Sequence, residues 1–122
     1  MKAYLPKSFQ REAKGEGISD EDCRKALQRL ESGLIDADLG SGLVKQRIPR
    51  GGQGAARGLR TVIFYKRGEV AVFLHIFAKS DKANLTRSEL AEYLKLAHFL
   101  EKLTEPKLKE LGGARGWREL EI

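Results

Sequence analysis

Four basic side chains fall at strand positions in the middle of this chain. Lys45 and Arg47 stand in LVKQRI (43–48), Arg60 in LRTVIFYK (59–66), and Lys79 closes EVAVFLHIFAK (69–79). A charge within a strand is usually solvated or at an edge, so four around one small sheet suggest a common pocket for phosphate. Arginine suits that role because its planar fork binds phosphate oxygens in pairs. A lysine crowded by other cations has its pKa pushed down, which prepares it to act as a base. With an RNA phosphodiester in such a pocket, a base would help the 2′-hydroxyl attack phosphorus. Cations would stabilise the crowded phosphate, and an acid would protonate the leaving oxygen. Lys45, Lys79, Tyr65 and His75 are the candidates for proton transfer. No metal or cofactor is needed for this chemistry, and none is expected.

Each of these residues also has a plainer reading. A lone histidine in an apolar strand, such as His75, is more often a hydrogen-bonded core residue. Tyr65 can simply pack, and His98, among Leu94, Ala97 and Phe99, reads as structural. Cys23 falls on an apolar helix face and reads as a small core residue. The glycine-rich run 51–58 is no phosphate loop of the familiar kind, since no apolar strand precedes it and no helix follows. It reads either as a mobile hairpin loop or as a basic flap in which Arg50 and Arg57 flank the glycines. Walker, zinc, dinucleotide and nucleophile-elbow motifs are absent.

The charge pattern points the same way. The 122 residues carry a formal +6, and Lys45, Arg47, Arg50, Arg57, Arg60, Lys66 and Arg67 follow one another without an intervening Asp or Glu. The excess therefore belongs to that segment, which favours a polyanionic partner. A single cysteine excludes an internal disulfide, and no stretch approaches the roughly 20 apolar residues of a membrane span. A cytoplasmic protein with no membrane partner is expected.

The elements that must position these groups are legible in outline. Residues 7–14 predict a short helix stopped at Gly15. Ser19, with Asp20, Glu21 and Asp22 behind it, predicts a helix over 19–32 whose apolar stripe is Cys23, Ala26, Leu27 and Leu30. Three strands, 43–48, 59–66 and 69–79, should form an antiparallel meander covered on one side by helices. Period-2 alternation would place Phe73, His75, Phe77 and Lys79 on one face. Thr86 and Glu89 form a capping box, Thr104-Glu105-Pro106 restarts the helix, and Gly112-Gly113 should end it. The tail ARGWRELEI reads as a short strand or an extended segment. One α+β domain over 1–122 is expected, with its sheet core at about 43–79 and C-terminal helices at about 86–111.

The runs LGSGLVKQRIPRGGQGAARGLRT (39–61) and FLHIFAKSDKANL (73–85), with GISDEDCRKALQRLESGLIDADLG upstream, resemble the RelE-type toxins of bacterial type II toxin–antitoxin modules. The likeness covers roughly residues 8–103, and Lys45, Arg47, Gly54, Gly58, Arg60, Lys79 and Asn84 match the family pattern by position. It implies a RelE/ParE-like fold, with N-terminal helices on a small twisted antiparallel sheet. It also implies an endoribonuclease acting on mRNA, often at the ribosome, and a cognate antitoxin. Lys45, Arg47, Arg60 and Lys79 would then be catalytic, and Arg50, Arg57, Lys66 and Lys82 would bind RNA. Three departures stand out, one being Gly51 in place of the proline before the first loop glycine. Ala55, Ala56 and Arg57 replace a Lys-Ser-Gly run of the loop, and Leu59 replaces an aromatic residue. A non-catalytic binder of the same fold, or a ParE-like gyrase poison, is the alternative.

Overall fold

The computed structural model describes residues 1–48, 59–78 and 85–122. Among them are six strands and four helices, in the order β1 (Lys2–Leu5), α1 (Lys7–Glu16), α2 (Asp20–Glu31), β2 (Ala37–Gly40), β3 (Leu43–Ile48), β4 (Leu59–Lys66), β5 (Val70–Ala78), α3 (Arg87–Glu101), α4 (Glu105–Arg115) and β6 (Arg118–Leu120).

Local chemistry sets most of the helix boundaries. At α2 the Ser19 hydroxyl accepts the Asp22 N–H (3.1 Å) while the Asp22 carboxylate accepts the Ser19 N–H (3.0 Å). The same reciprocal pair, Thr86 with Glu89, opens α3, and the Thr104 hydroxyl caps α4 ahead of Pro106. Two ends differ from the sequence expectation. Helix α1 runs past Gly15 and stops at Gly17, whose φ of +70° is the left-handed turn that ends helices. Helix α4 runs through Gly112 and Gly113 to Gly116. A helical Gly112 is useful here, because the Trp117 ring lies 3.0 Å from where its Cβ would be.

The meander β3-β4-β5 forms as expected and lies within a larger sheet of order β2-β3-β4-β5-β1-β6. The added strands are short. Strand β1 pairs in parallel with β5, so the sheet is mostly rather than wholly antiparallel, and the C-terminal tail adds β6 beside β1. Neither KAYL nor ADLG is long enough to show a period of two, which is why β1 and β2 escape a sequence reading.

Both faces of the sheet are covered, not one. Phe9, Ala26, Leu27 and Leu30 of α1 and α2 pack with Ile48, Ile63 and Phe73. Ala97, Leu100 and Leu108 of α3 and α4 pack with Leu43, Val62, Phe64 and Phe77 on the other side. That explains why β4 and β5 are apolar on every residue over most of their length.

Alternation along β5 is broken by a bulge. Val62 of β4 stands opposite His75, but the next residue, Ile63, stands opposite Phe73, leaving Leu74 without a partner across the strand. Phe73 and Ile76 consequently face α1 and α2, whereas Leu74 and Phe77 face α3 and α4. Phe73 and Phe77 therefore lie on opposite faces, contrary to a strict period of two.

Candidate functional site

Lys45 and Arg47 of β3 and Arg60 of β4 meet at one end of the sheet. Arg47 stands directly opposite Arg60, two rungs beyond the Lys45–Val62 pair. Two cations facing each other on a rung repel, and a carboxylate resolves the conflict. Asp36, just before β2, lies 3.5 Å from the Lys45 Nζ, 3.4 Å from the Arg47 Nε and 3.3 Å from the Arg60 Nε.

Asp36 is held there by backbone and core contacts. Its N–H donates to the Lys45 carbonyl (2.9 Å). The buried Gln46 amide donates to the carbonyls of Leu34 (2.7 Å) and Ala26 (3.2 Å), fastening the α2–β2 connection onto β3. The cluster is thus built from α2, its following loop and two strands. Burial alone would raise the Asp36 carboxyl, but the charges of Lys45 and Arg60 and hydrogen bonds from Arg47 and Lys45 outweigh it. The net effect holds Asp36 below the usual carboxylate range, so it is ionised at neutral pH.

Among the described residues, three cations around one carboxylate leave two positive charges in excess. Access is graded: the Arg47 side chain is 41% exposed, Lys45 12% and Arg60 4%. Arg47 is thus the group of the three that an incoming anion meets first, with Lys45 and Arg60 behind it. Strand ends Ile48, Leu59 and Ala78 are neighbours on the last rungs at this end.

Other candidates are distributed differently. Lys66 lies at the opposite end of β4, about 20 Å along the strand from Arg60 at about 3.3 Å per residue. There it meets Glu69 (3.3 Å) and donates to the Glu101 carbonyl (3.2 Å), so it is not part of the cluster. Tyr65 packs with the α1/α2 side of the core, on the face away from Arg60, and does not join the cluster. Arg50, Arg57, Lys79 and Lys82, with Gly54, Gly58 and Asn84, lie outside the described residues.

His75 sits on β5 just beyond the last β1 pairing, on the sheet face that carries Arg60. Its Nδ1 lies 2.9 Å from the Glu12 carboxylate, and its ring lies against Phe77 (6.0 Å) and Tyr93 (5.8 Å). Its Nε2 is buried without a hydrogen-bond partner among the described residues. Burial, and next to it the charges of Glu12 and Glu89, push the Tyr93 hydroxyl up to about 12. His98, by contrast, sits 3.3 Å from the Ser41 hydroxyl at the β2–β3 turn.

Sequence reasoning did not identify Asp36, Glu12 or Tyr93 as partners of these groups. Asp36 lies outside the carboxylate-free run, and only the pairing of β2 with β3 brings it back over that run. Among the described residues, no three His, Cys, Asp or Glu side chains converge as a metal site requires, and no helix is long and apolar enough to cross a membrane.

Fold and site together define a small α+β protein with a preorganised cation cluster at one end of a mostly antiparallel sheet. The family model of the RelE toxin of the RelE/RelB toxin–antitoxin system matches residues 1–120 of the 122. The chain belongs to the RelE toxin family, a toxin of a toxin–antitoxin system, and that membership implies an antitoxin partner. A comparison with curated proteins gave no match.

Proposed function

We propose that this toxin is an endoribonuclease that cleaves mRNA without a metal, in the cytoplasm and in association with the ribosome. The observation that carries the reading is the Arg47–Arg60 rung backed by Lys45, with its positive charge in excess of Asp36. In this reading Arg47 receives the scissile phosphate, and Lys45 and Arg60 stabilise the charge that builds on it. Lys79 adds a further cation, while Arg50, Arg57 and Lys82 guide the strand by phosphate contacts. His75 serves proton transfer. If its Nδ1–H donates to Glu12, Nε2 keeps the lone pair a base needs.

A second reading is inhibition by occupancy without cleavage. Asp36 favours it, because a carboxylate already holds the position an anion would take among the three cations. Ala55-Ala56 in the loop sequence favours it too.

Mapping of RNA 5′ ends after brief induction separates these readings. New internal ends that depend on translation and vanish in Arg47→Ala are the expected result. Growth arrest with intact message would favour occupancy, and arrest with DNA breaks and intact message would favour gyrase poisoning.

A further inference from the structure

We propose that a second cleft, which none of Lys45, Arg47 and Arg60 lines, binds a nucleotide by stacking its base and holding its phosphate. The cleft has a volume of 590 Å³, within the roughly 300–1,000 Å³ of small-molecule sites, and lies between the start of α1, the middle of α3 and the α4–β6 turn. Lys7 and Arg11 reach it from α1 and Arg115 from the end of α4, and among the described residues no carboxylate lines it. Among the described residues none of these three cations has an ion-pair partner, whereas Lys45, Arg47, Arg60 and Arg118 all do. Helix α1 begins at Pro6 with no side-chain cap and no acid in its first turn, so its positive end adds to the same field.

The rest of the lining is apolar and aromatic. Leu74 and Leu96 line it, and the half-buried rings of Tyr93 and Trp117 offer flat surfaces. Unpaired cations beside exposed aromatic area match a ligand that carries a phosphate and a planar ring. Stacking on an aromatic side chain holds the base, and charge-assisted hydrogen bonds hold the phosphate. An acidic peptide would satisfy the cations and leave the rings uncovered.

The cleft is built in advance of any ligand. The Gln10 amide donates to the carbonyls of Leu5 (2.6 Å) and Gly116 (3.1 Å), locking α1 to the turn that precedes Trp117. Two glycines make the space. The Lys7 stem passes 3.2 Å from where a Cβ on Gly116 would lie, and the Trp117 ring lies on Gly112. Helix α1 and the α4–β6 turn are therefore fixed on either side of one volume. The nucleotide is either free or one unit of an RNA strand, and both present the same chemistry.

Trp117 is the chain's one tryptophan, so its emission reports on this cleft alone. The full chain would be titrated with adenosine 5′-monophosphate, ribose 5-phosphate and a short oligoadenylate. Saturable quenching by nucleotide but not by ribose 5-phosphate is expected, with the midpoint raised at least tenfold in Lys7→Ala/Arg115→Ala. Circular dichroism of that variant, whose changes are at exposed positions, confirms its fold. Quenching by the oligomer alone identifies a strand, and equal quenching by the monomer identifies a free nucleotide. The Arg47→Ala variant keeps the response, which separates this cleft from the RNA-cleaving corner. Absence of saturable quenching, an unchanged midpoint in the double variant, loss of the response in Arg47→Ala, or a response to polyglutamate in place of nucleotides would overturn the proposal.

Discussion

Arg47 and Arg60 face each other on one rung of the sheet, and the Asp36 carboxylate lies within 3.4 Å of both. The arrangement stores two opposed tendencies. The carboxylate lets two guanidinium groups share a rung, and the same carboxylate competes with any phosphate that approaches them.

Removing that carboxylate should separate the two. Asp36→Asn keeps the shape and deletes the charge, leaving three cations to repel. We expect a loss of about 1–3 kcal/mol in unfolding free energy, together with tighter RNA binding and a steeper salt dependence. Denaturant unfolding and RNA-binding titrations at two salt concentrations measure both.

Acid should weaken the fold through the same residue and through Asp20. The hydrogen bond from Arg118 holds Asp20 below its ordinary value, and Asp36 is likewise lowered from 3.8. A carboxyl lowered in the folded state contributes its stability above the unfolded pKa and loses it as pH falls through the folded one. Unfolding free energy should therefore change little on this account from pH 7 to about 5 and fall below about 4. Asp36→Asn should remove part of that slope, as a pH series of denaturant melts would show.

Arg47 and Arg60 should differ when truncated. Arg47 is partly exposed, so Arg47→Ala should cost under about 1 kcal/mol of stability while abolishing RNA cleavage. Arg60 is 4% exposed, and its loss leaves Asp36 short of a buried partner. Arg60→Ala should cost about 2–4 kcal/mol, with Arg60→Lys recovering part of it. Thermal melts beside RNA-end mapping distinguish a folding defect from a chemical one.

The glycines of α4 should respond in unlike ways. A Cβ on Gly113 meets nothing within 4 Å, so Gly113→Ala should stabilise by about 0.5–1 kcal/mol through helix propensity. At Gly112 the Trp117 ring is 3.0 Å away, and the same change should gain less or lose stability. Paired melts of the two variants test this, and tryptophan emission should shift only in Gly112→Ala, the position that Trp117 touches.

The sequence by itself determined what depends on neighbours along the chain. The capping boxes at Ser19 and Thr86, the stripe from Cys23 to Leu30 and the central three-strand meander all follow from short-range hydrogen bonding and periodicity. The clustering of Lys45, Arg47 and Arg60 was legible for the same reason, since side chains alternate faces along a strand and the meander pairs its neighbours. What only the tertiary structure decided depends on pairing between distant segments. The β5 bulge shifts the side-chain alternation, and strands of four residues become strands only when β3 and β5 offer them an edge. Asp36 enters the cation cluster because β2 folds back along β3. Lys7 and Arg115 share a cleft because the chain's two ends meet at β1 and β6. Such contacts leave no period in the sequence, because each is set by which surfaces the core brings together.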